Sequence, residues 1–338
     1  MARHSGNKNA RSGKSATLLQ NFQKNPIFIV IICIIGIIVF YFLSQQDGIF
    51  NSDVPGEGFA VHFIDVGQGD SILIQNPDNE FMLIDTGLNE AYNKLSGYLK
   101  NFRVNSFKYV VFTHPHSDHI GSANKIVYNY DIETLIMPVT INSSKTFERL
   151  ITEIENKNLK ITPPRRGDIY QFGEAEFKIL APFSDKYENL NNYSVVIEMR
   201  YGETTFLFTG DMEKESENEL IDYCNQNGID IYADVLKAAH HGSTTSSQKK
   251  FLDLVNPSFA VIFCGRNNSY NHPHLKIVER LESMGASILR TDSDGDIVIS
   301  SDGRNLTVQK GRGAAEAYEK YSDGETEDEQ YEEYDDGD

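Results

Sequence analysis

Thirteen residues, Tyr109 to Gly121 (YVVFTHPHSDHIG), constrain this chain more than any other stretch. A β-branched, strand-like run ends there. His114, His116, Asp118 and His119 then emerge with only Pro115 and Ser117 between them. Three imidazoles and a carboxylate lose hydration if buried unpaired, so gathering them in one turn needs something for them to hold. Histidine is the commonest metal ligand, and a divalent ion takes several such ligands from a turn. His114 and His116 can reach one ion, while Asp118 and His119 point onward to a second close by. Two adjacent cations suit in-line hydrolysis of a phosphodiester or attack on a carbonyl. An exposed polar loop, the bland alternative, leaves this density of ligands unexplained.

Other strand ends supply further donors. Asp211 in TTFLFTGDME closes a strand after a Thr-Gly turn and can bridge two ions, although an aspartate there also suits the N-cap of the following helix. ADVLKAAHHGSTTSS presents His240 and His241. On an extended segment adjacent side chains point to opposite sides, so one of the pair is expected to bind metal. His240 takes that role, and His241 is left to contact a phosphate or donate a proton. In NSYNHPHLKIVERL, His272 is fixed by Pro273 and the helix beyond it. It joins Asp118 and His241 as a candidate catalytic residue, whereas His274 reads as a surface residue and His62 as strand packing. Cys33, Cys224 and Cys264 show neither a CxxC pair nor zinc-ribbon spacing, which removes a disulfide scaffold and a thiolate metal site.

Around these motifs short apolar runs alternate with helical spacings. FAVHFI (59–64), SILIQ (71–75), FMLID (81–85), AEFKILA (175–181), SVVIEMRY (194–201) and TTFLFTG (204–210) read as strands. Helices are expected over 89–102, 123–130, 146–157, 213–226, 248–255 and 274–285. The alternation predicts one α/β domain over 58–310, with apolar strands covered on both faces.

The ends differ from this middle. Ile27 to Leu43 is seventeen residues without a charge, roughly 25 Å of helix at ~1.5 Å per residue, the short end of a membrane span. Five bases and no acid precede it, which predicts a cytoplasmic segment over 1–26 and places the chain beyond the span outside. The reading is thus a single-pass membrane protein, anchored by 27–43, with a linker over 44–57 and an extracytoplasmic domain. Residues 311–338 form an acidic tail that cannot bury a core. With the net charge at −18, the ends leave residues 27–312 at −12, so a nucleic-acid reading must do without a global basic field.

The motif set resembles the metallo-β-lactamase fold superfamily, whose HxHxDH signature stands here as His114, His116, Asp118 and His119. HFIDVGQGDSILIQ (62–75), MLIDTG (82–87), VLKAAHHGS (235–243) and NSYNHPH (268–274) look closer still to the extracellular hydrolase domain of the ComEC-like family of DNA-uptake proteins. The resemblance implies a four-layer αββα sandwich with two divalent ions, zinc or manganese, where strand ends meet. It implies that Asp85 supports the histidine loop and that Asp65, Gln68 and Asp70 line the rim. The wider superfamily has a third histidine for the first ion, where this chain reads NLNNYSVV (189–196). Asn191 or Asn192 is the weak substitute there, which argues for an oxygen-richer first site favouring manganese. The single apolar span gives no channel, so DNA import by this chain alone is not expected.

The leading functional expectation is a membrane-anchored, metal-dependent hydrolase of phosphodiesters, with DNA the favoured substrate through the resemblance. Hydrolysis of a cell-envelope phosphodiester, or of a small ester or lactone, is the alternative. A binding protein with a purely structural metal is a third reading. No partner protein is identifiable.

Overall fold

The computed structural model describes residues 58–311. The apolar segment 27–43, the linker up to residue 57 and the acidic tail from residue 312 lie outside the described residues. Among those described, no helix is long and apolar enough to cross a membrane.

The first strands show how the sequence makes a four-layer core. In β2 (Ile72–Gln75) and β3 (Phe81–Ile84), Ile72, Ile74, Met82 and Ile84 turn to one face, and Leu73, Phe81 and Leu83 to the other. A strand alternates sides residue by residue, so a continuous apolar run means that both faces are covered. The first set packs against the second sheet, together with Phe59, Val61 and Phe63 of β1 (Phe59–Phe63). The second set packs under helices α1 (Tyr92–Asn101), α3 (Ala123–Asn129) and α4 (Lys145–Asn156), with α2 (Ser117–Ile120) beside them.

The first sheet runs β15-β14-β1-β2-β3-β4-β5-β6, taking in β4 (Ser106–Val111), β5 (Asp131–Ile136), β6 (Ile161–Thr162), β14 (Ile297–Ser301) and β15 (Leu306–Lys310). It is antiparallel from β15 to β3 and parallel from β3 to β6. The second sheet runs β13-β12-β11-β10-β9-β8-β7, from β7 (Ile169–Phe172), β8 (Ala175–Ala181), β9 (Val196–Tyr201) and β10 (Thr204–Phe208) to β11 (Val235–Lys237), β12 (Phe259–Ile262) and β13 (Ser287–Arg290). It too changes from antiparallel to parallel, at β10. Phe206 and Phe208 face the first sheet. Leu207 faces α5 (Lys214–Asn227), α6 (Lys249–Val255) and α7 (Leu275–Ser283).

Two sheets flanked by helices give the expected α/β sandwich. Four strands were not legible in the sequence: β5, β6, β7 and β15. All but β5 are short or end a sheet, and each is partly exposed, so their hydrophobic pattern is thin. His114, His116, Asp118, His119, Asp211, His240 and His241 follow the C-terminal ends of β4, β10 and β11, where open α/β sheets place their crevices.

Candidate metal centre

Asp85 follows β3 directly and orients the histidine loop. Its Oδ1 accepts the Thr113 amide at 2.8 Å, and its Oδ2 accepts Thr113 Oγ1 at 2.6 Å and lies 2.7 Å from His119 Nδ1. That contact turns His119 Nε2 toward Asp211, whose Oδ2 is 3.2 Å away. The DVGQGDS turn closes over the loop, with the Asp70 amide donating to Asp118 O at 3.2 Å. Gly69 has φ +118°, and a Cβ there would stand 2.2 Å from Asp118 O, so only glycine allows this approach.

Asp70, His119, Asp211 and His241 bring one donor atom each to within 4.8 Å of one another, all buried. Asp118 adds Oδ2 at 3.1 Å from His241 Nε2. His241 Nε2 is also 3.3 Å from Asp211 Oδ2. Asp211 is therefore engaged in the cluster, while the N-cap position of α5 is held by Glu213.

Beside this carboxylate-rich group stands a histidine pair. His114 and His116 are hydrogen-bonded to each other, Nε2 to Nδ1, at 3.0 Å, and the His114 ring centroid lies 4.1 Å from that of His119. Ser194 Oγ is 3.4 Å from His114 Nδ1 and accepts the Asp211 amide at 3.0 Å. A hydroxyl thus stands beside His114, in the stretch where the wider superfamily has its third histidine.

Lys237 was missed, because a lysine inside VLK reads only as part of a strand. It is 1% exposed, and its ammonium donates to Asp70 Oδ2 at 2.5 Å, Gly210 O at 2.7 Å and Asp211 Oδ1 at 3.3 Å. Burial would lower its pKa, but Asp70 and Asp211 raise it, so the charge stays. Burial likewise disfavours charged imidazoles, yet the surrounding aspartates hold His119 well above the ordinary value and His241 at about 10. His114 goes the other way, lowered by burial and by the neighbouring imidazoles.

The backbone at 240–242 departs from the extended segment expected there. His240 and His241 have φ of +48° and +53°, and Gly242 follows at +83°. Left-handed residues in a row cost roughly 1–2 kcal/mol for each non-glycine, and the turn puts both rings on the cluster side. His241 is buried among the aspartates, the place expected for His240. His240 stands at the edge, with Nε2 3.8 Å from Asp211 Oδ2 and Nδ1 3.0 Å from Glu213 Oε1. Of the pair it is His241 that the aspartates surround. Glu213 was not foreseen.

Other expectations need correcting too. Asp65 faces away, paired with Lys94 at 2.8 Å. Asp70 sits in the cluster and not on its rim. Gln68 accepts the Gly265 amide at 3.1 Å. Asn192 is no ligand: its side chain accepts the Glu213 and Ser216 amides and donates to Glu215, serving the start of α5. His272 is 5% exposed, with its ring 6.0 Å from that of His241, and burial lowers its pKa to about 3. His274 is half-buried and accepts the Thr244 amide at 3.0 Å. His62 is packing, hydrogen-bonded to Tyr98 at 3.0 Å.

The donor set fits divalent metal. His119 Nε2 and Asp70 Oδ1 are buried without a hydrogen-bond partner, an arrangement proteins avoid unless something satisfies it. Asp70, Asp118 and Asp211 crowd around His119 and His241, a mixed set of carboxylate oxygens and imidazole nitrogens of the kind divalent cations take.

The sequence profile of the metallo-beta-lactamase superfamily matches residues 64–266. Among curated proteins, ComE operon protein 3 of Bacillus subtilis is 32% identical over 254 residues, covering 70% of this chain and 32% of that protein. Competence protein ComA of Neisseria gonorrhoeae is 29% identical, over 72% of this chain and 32% of its own length. Recombination protein 2 of Haemophilus influenzae is 28% identical, over 88% and 35%. The chain thus spans about a third of the length of these relatives.

Proposed function

The chain belongs to the metallo-β-lactamase superfamily, and from that premise we propose that it is a metal-dependent phosphodiesterase acting on DNA, carried outside the cytoplasmic membrane by its apolar segment 27–43. The buried convergence of Asp70, His119, Asp211 and His241 carries this reading. Relatives named for competence and recombination support DNA as the phosphodiester.

Two divalent ions, manganese or zinc, complete the site. Asp70, Asp118, His119, Asp211 and His241 would hold one, and His114 and His116 would hold the other. Bound ions supply electrophilic activation of the phosphoryl group and a nucleophile at neutral pH. The chain's own groups do the rest. Asp85 fixes the His119 ring, and Lys237 fixes Asp211 by taking one of its oxygens. His240, oriented by Glu213 and with its side chain 22% exposed, is placed to give the leaving oxygen its proton. His272, kept neutral by burial, contacts the phosphate.

The −12 charge of residues 27–312 favours a second reading, hydrolysis of an uncharged ester or lactone, for which no basic surface is needed. End-labelled single- and double-stranded DNA, offered to the full chain in detergent with Mn²⁺, Zn²⁺ or chelator, separates the two. Metal-dependent cutting that disappears in Asp118→Ala is the expected result. A folded, metal-loaded protein that cuts neither strand would refute the DNA reading and turn attention to esters and lactones. A folded protein that needs metal only to stay folded would point to a structural ion.

A further inference from the structure

A nuclease usually gathers its substrate with lysines and arginines, and the −12 middle of this chain does not supply such a field. Grip must come from elsewhere. Single-stranded nucleic acid offers one other handle, the faces of its bases, which stack on aromatic side chains with little regard to sequence or to charge.

One aromatic ring is placed for this. Tyr270 is 49% exposed. Its ring lies 5.6 Å from that of His272 with only 19° between their planes, a stacked pair. His272 in turn is 5.7 Å from His240 and 6.0 Å from His241, ring to ring. The imidazole is buried with Nδ1 unpartnered, so it backs the tyrosine without closing it off. Two ring-to-ring contacts therefore link the cluster to an exposed π face.

The segment is held firmly enough to act as a platform. Asn268 Nδ2 donates to Gly265 O at 2.9 Å and to the His272 carbonyl, and its Oδ1 accepts the Tyr270 and His272 amides at 3.1 and 2.9 Å. Gln68 of the DVGQGDS turn ties the start of the segment to the cluster side through the Gly265 amide. Pro273 packs where a Cβ on Gly242 would come within 2.6 Å, so the histidine turn and this segment are in direct contact. A stacking surface needs such preorganisation, because each side chain ordered on binding costs affinity.

We propose that Tyr270, backed by His272, is a nucleobase-stacking subsite that seats the base adjoining the scissile phosphate of a single strand. The proposal rests on the phosphodiesterase reading above. It makes stacking the source of substrate affinity, and it accounts for a nuclease with an acidic body. A paired base keeps its faces against its neighbours in the duplex, so the subsite prefers single strands and frayed ends.

The test compares two substrates with the metal-loaded full chain: a single-stranded oligonucleotide and an abasic strand of the same length and charge. The wild type should prefer the base-bearing strand by roughly tenfold or more, through KM. Tyr270→Ala and Tyr270→Leu should each collapse that preference toward unity, while Tyr270→Phe, which keeps the ring, should retain it. Equal KM for both strands in the wild type, or a preference that survives in both Ala and Leu variants, overturns the subsite and leaves the phosphodiesterase reading intact. Cutting of neither strand by the wild type overturns both.

Discussion

The two halves of the metal centre are built on different principles. Asp118, His119, Asp211 and His241 are held by charge: aspartates surround protonatable imidazoles, and Lys237 supplies an internal cation at 2.5 Å from Asp70 and 3.3 Å from Asp211. His114 and His116 are held by burial and by each other, with a serine hydroxyl where a further imidazole would complete a three-histidine set. Carboxylates attract a cation at long range, whereas neutral imidazoles act only on contact. The contrast predicts that the carboxylate half fills first and tightly, and that the histidine half fills second and weakly.

Removing one donor from each half breaks the comparison most sharply. Asp118→Ala should abolish retention of the tight ion and leave activity below about 1% of wild type, beyond the 10–100-fold typical of outer-shell changes. His116→Ala should lose only the weak ion and regain part of its rate at raised metal concentration. Metal retained after gel filtration, alongside rate against metal concentration, reads both. Equal behaviour of the two variants would erase the distinction.

Lys237→Met tests the internal cation. Breaking a buried ion pair by removing one partner costs about 3–5 kcal/mol, and here it leaves Asp70 buried without its ammonium partner. The metal-free form should lose that stability in urea, while the metal-loaded form loses less, because the ion takes over part of the compensation. An equal loss in both forms would make Lys237 a packing residue with no bearing on the cation site.

Ser194→His sharpens the comparison from the other side. An imidazole beside His114 should tighten the second ion by roughly tenfold, the lower end of what changes around a metal do. A titration showing two equal sites would fit. An unchanged second step would mean that Ser194 does not stand where the ion binds.

The smallest effect lies outside both halves. Burial depresses the pKa of His62 from 6.5 to about 3, so the fold holds it neutral. Its contribution is complete above pH 6.5 and is lost as pH falls from there toward 3, since the unfolded chain takes up the proton first. His62→Leu should therefore remove about 1.4 kcal/mol per pH unit from the acid-side slope of stability below pH 6. An unchanged slope would mean that His62 is solvated in solution.

The sequence carried the fold's layers and the histidine loop, since period-two runs such as those of β2 and β3 and four ligands in six residues are local signals. What it could not carry depended on backbone sign and on distance in the chain. An extended backbone at His240 and His241 sends one ring toward the site, whereas the left-handed turn there brings both within reach of Asp211. Gly242 after a His-His pair was the available hint of that turn. Lys237 and Ser194 belong to ordinary strand and loop text, and only the approach of β4, β10 and β11 brings them to the cluster. Asp65 and Asn192 shared motifs with true neighbours of the site, yet a lysine and a helix N-terminus took them. β6, β7 and β15 escaped because short or half-exposed edge strands leave no strong pattern, and β5 because its first four residues are partly exposed.

A calorimetric titration of the metal-free full chain with Mn²⁺, with DNA cleavage assayed at each ratio, tests the central claim most directly. Two steps of clearly different affinity, with cutting that rises only as the second fills, are predicted by the unequal halves. Full cutting at one equivalent, or binding without any cutting at saturation, would contradict the account.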